Sequence, residues 1–326
     1  MKVNNEAKLH TLGNQYTQNM VYTIPETSHV ESAMPERNAL CHCGSGKKYK
    51  RCCGLSAART PDSFAVNRAI AYKGTMGRRR QAFCEAYSSA KEMGLAGIEE
   101  QLRREVEEAG KTITCHKGCG YCCSVYVFAN LQECENIVHY LYEHDDILTY
   151  YLQQYPRWKS NIDRLGAILP RIDDAQEKVL FGTATEDDRR VFNENLTAYA
   201  ALRNPCPFLC DDACTIYEVR PYVCAGVISV NPSAYCMPEH PAFEENVLIK
   251  ANFLPQNDMP YFTPTKNAIN FGCMPALVQQ ILQYGYIFLS TIDGLGDMHL
   301  TAANDPEVRL TLTQLGVRMI GSIPKT

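Results

Sequence analysis

Sixteen cysteines occur in this chain of 326 residues, and they are grouped rather than scattered. Four fall at 41–53, four at 115–123 and four at 206–224, with the vicinal pairs Cys52-Cys53 and Cys122-Cys123 inside those groups. Thiols gathered in this way build a disulfide framework or bind metal, and the redox compartment decides which. The opening Met1-Lys2-Val3-Asn4-Asn5-Glu6 lacks the apolar core of a secretory signal. No run approaches the ~20 apolar residues of a spanning helix, so no transmembrane segment is expected. The expectation is a cytoplasmic protein whose thiols stay reduced and ligate metal.

The first group reads Cys41-x-Cys43-x8-Cys52-Cys53. A structural zinc site takes four ligands in a tetrahedron, and two close pairs of thiolates supply them cheaply. Gly44-Ser45-Gly46 lets the backbone turn and aim N–H groups at sulfur, while Lys47, Lys48, Lys50 and Arg51 offset the net −2 of a zinc tetrathiolate. So short a segment builds no apolar core, and the metal would supply its folding energy. The run Cys41-His42-Cys43-Gly44-Ser45-Gly46-Lys47-Lys48-Tyr49-Lys50-Arg51-Cys52-Cys53 resembles the SEC-C motif, the zinc-binding tail first described in the preprotein translocase ATPase. The resemblance implies Zn²⁺ on Cys41, Cys43, Cys52 and Cys53, and a role as a docking module.

The second set of eight, Cys115, Cys119, Cys122, Cys123, Cys206, Cys210, Cys214 and Cys224, is split between two short windows with about eighty residues of helical pattern between them. Two loops brought over one site fit this layout. One tetrahedral ion needs four thiolates, so eight point to a polynuclear site, an iron–sulfur cluster, or one site plus structural thiols. Gly118-Cys119-Gly120-Tyr121-Cys122-Cys123, Cys206-Pro207-Phe208-Leu209 and Cys214-Thr215-Ile216-Tyr217-Glu218-Val219-Arg220-Pro221-Tyr222-Val223-Cys224 resemble the CxxCxxCC (YkgJ-type) zinc- or iron-chelating domain over about 115–225. That resemblance implies Zn²⁺ or iron, as an ion or an iron–sulfur cluster, on Cys115, Cys119, Cys122, Cys123, Cys206, Cys214 and Cys224. Two departures stand out: Cys115-x3-Cys119 is one residue longer than the pattern, and Ala225 follows Cys224 where a basic residue is expected. Cys210 lies outside the pattern. Cys84, Cys134, Cys236 and Cys273 are isolated and read as small buried hydrophobes. Arg220 reads as a balance for thiolate charge or as the partner of Glu218 or another surface acid, Tyr217 as packing, and His116 as a solvated loop residue.

Charge is unevenly distributed. From Arg37 to Arg80 there are eleven Lys and Arg against one acid, Asp62, a net of +10; the whole chain carries −4, so the remainder carries −14. A basic segment of this kind suits an anionic partner, acidic protein or nucleic acid, although Arg78-Arg79-Arg80 also reads as solvated helix surface.

The expected fold class is mainly α: a small N-terminal zinc knuckle, then a helical domain with loops converging on a cysteine cluster. The boundaries are a leader at 1–35, the knuckle at 36–56, a helical basic-to-acidic connector at 57–112 and the cysteine-cluster domain at 113–326. Helical spacing runs from Pro61 to Ala109 with Gly110 as its stop, and helices are predicted from Asn130, over Asp145–Tyr155, over Glu186–Leu202 behind a Thr185 cap, and near Pro275–Leu289. Asn130 and Glu133 have the spacing of a capping box. Short strand signals are confined to Ser124–Phe128 and part of Tyr222–Val230.

The sequence has no Gly-rich nucleotide loop and no Ser nucleophile elbow. Cys115-x3-Cys119-x2-Cys122 has radical-type iron–sulfur spacing, but strands and helices do not alternate around it as a barrel requires. The chain is therefore expected to be a metal-binding adaptor or metal-handling protein. The alternative, implied by the resemblance, is an iron–sulfur-containing protein lysine methyltransferase using S-adenosylmethionine, similar to flagellin lysine methylases.

Overall fold

The computed structural model describes residues 63–317 except 181, 238–239, 252–270 and 293. Cys41, Cys43, Cys52 and Cys53 lie outside the described residues. Eleven α-helices dominate the described part, and strands are limited to six of two or three residues. The fold is mainly α. No helix of the described residues is long and apolar enough to cross a membrane.

Helix α1 (Ser63–Ile70) leads into α2 (Gly74–Glu108), whose 35 residues make a rod of roughly 50 Å. One stripe of α2 is buried: Phe83, Tyr87, Leu95, Ile98, Leu102 and Val106. Glu99, Glu100, Arg103, Arg104, Glu107 and Glu108 stay exposed on the opposite side, as the helical spacing predicts. The helix stops as expected. Gly110 takes φ 63°, and the Lys111 and Gly110 amides donate to the carbonyls of Val106 and Glu107.

Helix α3 (Leu131–Glu143) is the centre of the molecule, buried without a break from Leu131 to His139 and again at Leu141. Its capping box is present: Asn130 accepts from the Glu133 amide, and the Glu133 carboxylate reaches back to the Asn130 amide. Leu131, Cys134, Val138 and Leu141 supply an apolar stripe at helical spacing, and the other faces are covered as well. That burial forces polar residues into the interior, and each carboxylate meets a cation from α2. Glu133 pairs with Lys91 and Glu135 with Arg80, all four side chains nearly solvent-free. Arg80 is therefore core, not the solvated surface that Arg78-Arg79-Arg80 suggests. Arg78 instead binds Glu307 at 2.8 Å, and Arg68 pairs with Asp145.

Helix α4 (Asp145–Asp163) runs through Pro156 and beyond the predicted end at Tyr155. Helices α5 (Ile168–Leu180) and α6 (Glu186–Ala201) pack as a hairpin, the second opening on a Thr185–Asp188 capping box. With Trp158 and Ile162 they enclose a smaller core of Ile168, Leu169, Ile172 and Tyr199. Short α7 (Tyr222–Ala225) packs against the far half of α2. Then α8 (Met274–Tyr284) and α9 (Tyr286–Leu289) fill the predicted 275–289 region, interrupted at Gly285. Helices α10 (Met298–Asn304) and α11 (Pro306–Gln314) close the described chain.

The strands form three antiparallel pairs: β1 (Phe128–Asn130) with β6 (Phe271–Cys273), β2 (Leu209–Cys210) with β3 (Ala213–Cys214), and β4 (Val227–Ser229) with β5 (Leu248–Lys250). Of the predicted strand at 124–128, Ser124 ends a 3-10 turn, Tyr121–Ser124, the next three residues are irregular, and pairing starts only at Phe128.

Candidate metal centre

The first cysteine window leaves the end of α2 as extended chain and is held there by β4. The Thr114 amide and hydroxyl both donate to the Ser229 carbonyl, at 3.2 and 2.9 Å, and the Ser229 amide donates to Cys115 Sγ at 3.1 Å. The Cys119 amide closes on the His116 carbonyl and the Cys123 amide on the Gly120 carbonyl, coiling 116–124 into consecutive tight turns.

The second window docks onto the first through backbone. The Cys206 amide donates to the Cys123 carbonyl at 2.7 Å, across the predicted helical interval. Pro207 and Phe208 anchor this junction in the core, with the Phe208 ring stacked on Tyr151 at 4.4 Å between centroids. The β2–β3 hairpin follows, turning on Asp211 and Asp212 with φ 46° and 61°. Positive φ at both central residues matches the right-handed twist of a hairpin, and a short polar side chain tolerates it better than most. A 3-10 turn at Tyr217–Val219 and Pro221 then bring in α7, which carries Cys224.

Backbone N–H groups point at the sulfurs. The amides of Tyr121, Phe208 and Ile216 donate to the thiols of Cys119, Cys206 and Cys214, in each case two residues on. Donors of this kind favour a thiolate and fix its direction. Burial opposes them: it pushes Cys206 up to about 12 and raises Cys115, Cys119 and Cys214. In the vicinal pair, a hydrogen bond from Cys123 lowers Cys122 to about 7, and the same bond drives Cys123 far upward. Ligation by such thiols expels protons, because a metal takes the thiolate.

Accessibility separates the cysteines into two kinds. Cys84, Cys134 and Cys273 are fully buried, as expected of small hydrophobes. Cys122 and Cys224 are exposed, and Cys115, Cys119, Cys123, Cys206, Cys210, Cys214 and Cys236 are half-buried. Cys236 does not fit the reading as an isolated hydrophobe. It ends a 3-10 turn, Ser233–Cys236, that packs on the Tyr121–Ser124 turn, and its charge would be felt at both Cys115 and Cys119. Asn246 Nδ2 lies 3.4 Å from its sulfur. Only its distance from the two windows hid it in the sequence. Among the described residues, no three His, Cys, Asp or Glu side chains close around a common metal position.

The surrounding charges are placed consistently with the sequence reading. Arg220 binds the Tyr217 carbonyl at 2.7 Å and Glu99 at 2.9 Å, lies 3.7 Å over the Tyr217 ring, and lowers the pKa of Cys214 against its burial. Both readings of Arg220 therefore hold, with Glu99 of α2 as the acid, and Tyr217 serves as its platform. Lys91 lies near enough to Cys224 for each to feel the other's charge. His116 is exposed and contacts the Thr114 carbonyl. Cys210 faces Tyr150 and Asp211.

Residues 37–55 match the SEC-C motif, and residues 114–240 match the CxxCxxCC family, described as "Putative zinc- or iron-chelating domain". The second match runs past the motifs legible by eye and takes in Cys236. A curated relative, a UPF0225 protein of Serratia proteamaculans (strain 568), is 80% identical over 20 residues, 6% of this chain and 13% of the relative. No solved structure matches.

Proposed function

We propose that the chain is a metal-handling or adaptor protein holding zinc or iron on thiolates of the 115–236 region, with Zn²⁺ on Cys41, Cys43, Cys52 and Cys53 of its SEC-C motif. One observation carries this reading: the Cys206 amide docks on the Cys123 carbonyl, which brings the two cysteine windows together, and backbone amides are aimed at the sulfurs of Cys119, Cys206 and Cys214. The donor set fits the group. Several thiols, no disulfide among the described residues, and the cations Arg220 and Lys91 near Cys214 and Cys224 suit a thiophilic ion whose thiolate shell is negative. The exposed positions of Cys122 and Cys224 support handling over permanent burial, since ligand exchange needs an open side.

Anaerobic purification followed by metal analysis and an absorption spectrum tests the proposal. Zinc or iron in excess of what the SEC-C motif holds is expected, with visible charge-transfer absorption only if iron is bound. A protein whose metal content is unchanged by the joint replacement Cys206→Ser, Cys214→Ser would refute it.

A further inference from the structure

Cys224 rides on α7, a helix of four residues that is too short to hold a direction of its own, so its seat decides where Cys224 is presented. Contacts to Tyr222, the first residue of α7, make that seat. The Tyr222 ring lies in a slot of α2 left open by Gly94, where an added Cβ would come within 2.6 Å of the ring hydroxyl. One turn earlier on α2, the Lys91 ammonium stands 3.5 Å over the same ring. The Tyr222 amide donates to Glu133 of α3 at 2.8 Å. Lys91 and Glu133 pair with each other and are nearly sealed from water, whereas Cys224 is exposed. Buried charges are screened much less than surface ones and so act strongly on a close neighbour. Both reach this cysteine: Lys91 feels charge on Cys224, and Cys224 feels charge on Glu133. Arg220 acts on Cys214 instead.

We infer that Lys91 and Glu133 are positioning residues for Cys224: Glu133 seats α7 through the Tyr222 amide, the Lys91 charge favours metal on the Cys224 thiolate, and the Glu133 charge opposes it. This rests on the metal-binding reading above and adds to it two residues that touch no metal. The pair has one sign pattern in the fold and another at the thiol. In the fold, losing either partner destabilises, because the other is stranded as a buried, unpaired charge. At the thiol, an ammonium stabilises a negative thiolate shell and a carboxylate destabilises it, so the two losses act in opposite directions. A pair that served packing alone would show the first pattern only.

The test is the Co²⁺ affinity of the full-length chain carrying Cys52→Ser and Cys53→Ser, so that the SEC-C motif does not report. Thiolate–cobalt absorption in competition with a chelator gives the affinity, and thermal melts run beside it. Lys91→Met should weaken binding about 10–100-fold, the range for partners standing behind metal ligands. Glu133→Gln keeps an acceptor for the Tyr222 amide and should tighten binding severalfold, although it melts lower than its parent. Lys91→Arg keeps the charge and should lose far less affinity than Lys91→Met. A Glu133→Gln protein that binds no tighter than its parent, or a Lys91→Met protein that binds as well as its parent, overturns the inference and leaves metal binding standing. Should Glu133→Gln not fold, Lys91→Arg decides: an affinity as low as that of Lys91→Met, with the charge retained, shows that the pair serves packing alone. A parent protein that binds no Co²⁺ refutes the metal-binding reading and this inference with it.

Discussion

The Lys91–Glu133 pair offers a quantitative test of how the centre is supported. Both side chains are nearly sealed from solvent, at 1% and 6% exposure. The Lys91 ammonium lies 3.5 Å over the Tyr222 ring, and Glu133 also accepts the Tyr222 amide at 2.8 Å and the Asn130 amide at 3.3 Å. Burial pulls the Lys91 pKa down and Glu133 works against that pull. Lys91→Met would strand a buried carboxylate on two amides, and breaking a buried pair from one side costs about 3–5 kcal/mol. Against a total stability of about 5–15 kcal/mol, this is a large fraction. At roughly 2–4 °C per kcal/mol for a domain of this size, thermal unfolding of metal-free protein should fall by about 6–20 °C. Adding Glu133→Gln removes the stranded charge yet keeps an acceptor for Tyr222 and Asn130, so the double variant should melt above Lys91→Met alone. A single variant within about 3 °C of wild type, or a double variant below the single, would show that the pair does not carry this end of the fold.

Three further outcomes follow from local geometry. Gly94→Ala brings a methyl to within 2.6 Å of the Tyr222 hydroxyl. Overpacking of about 1–3 kcal/mol should outweigh the ~1 kcal/mol helix-propensity gain, with Tyr222→Ala, which removes the ring as well as the hydroxyl, lowering the further cost of Gly94→Ala in thermal melts. Asp305 caps α11 by accepting the Glu307 amide at 3.0 Å and holds the start of α2 through the Thr75 amide at 3.0 Å; Asp305→Ala should cost about 1 kcal/mol or more in urea unfolding. Hydrogen bonds from Thr185 and Lys178 hold Asp188 at about 2, so its folded-state pKa is depressed. Its contribution is therefore full above the usual carboxylate range and disappears as pH falls from there through about 2; Asp188→Asn should flatten that part of an acid-unfolding curve.

Much of this fold was legible because its helices obey local rules. The caps at Asn130, Thr185 and Gly110 and the Ile98–Leu102–Val106 stripe depend on residues a few positions apart, and all appear where spacing put them. Proline misled in two places. Pro156 sits inside α4 rather than ending it, and Pro170, tolerated in a first turn, masked α5. In α11, Asp305-Pro306 is a local start signal, an N-cap followed by Pro at the first helical position. The buried cations were beyond local reasoning: Arg80 and Lys91 look like helix surface until α3, 55 and 42 positions later, presents Glu135 and Glu133. The same holds at the metal centre. The two windows announced themselves by cysteine density, whereas Cys236 shares no window and is recruited by the packing of one 3-10 turn on another.

The amide of Cys206 reaches the Cys123 carbonyl across 83 positions (206 − 123), and this has a consequence during synthesis. At about 5–20 residues per second, the ribosome needs on the order of ten seconds to travel from one window to the other. Through that interval Cys115, Cys119, Cys122 and Cys123 have been made without their later companions, open to oxidants and to opportunistic ions. The SEC-C thiols, all within residues 41–53, face no such delay. Assembly of the larger centre is thus a late event in the life of the nascent chain, and the redox state met during those seconds bears on the yield of correctly loaded protein.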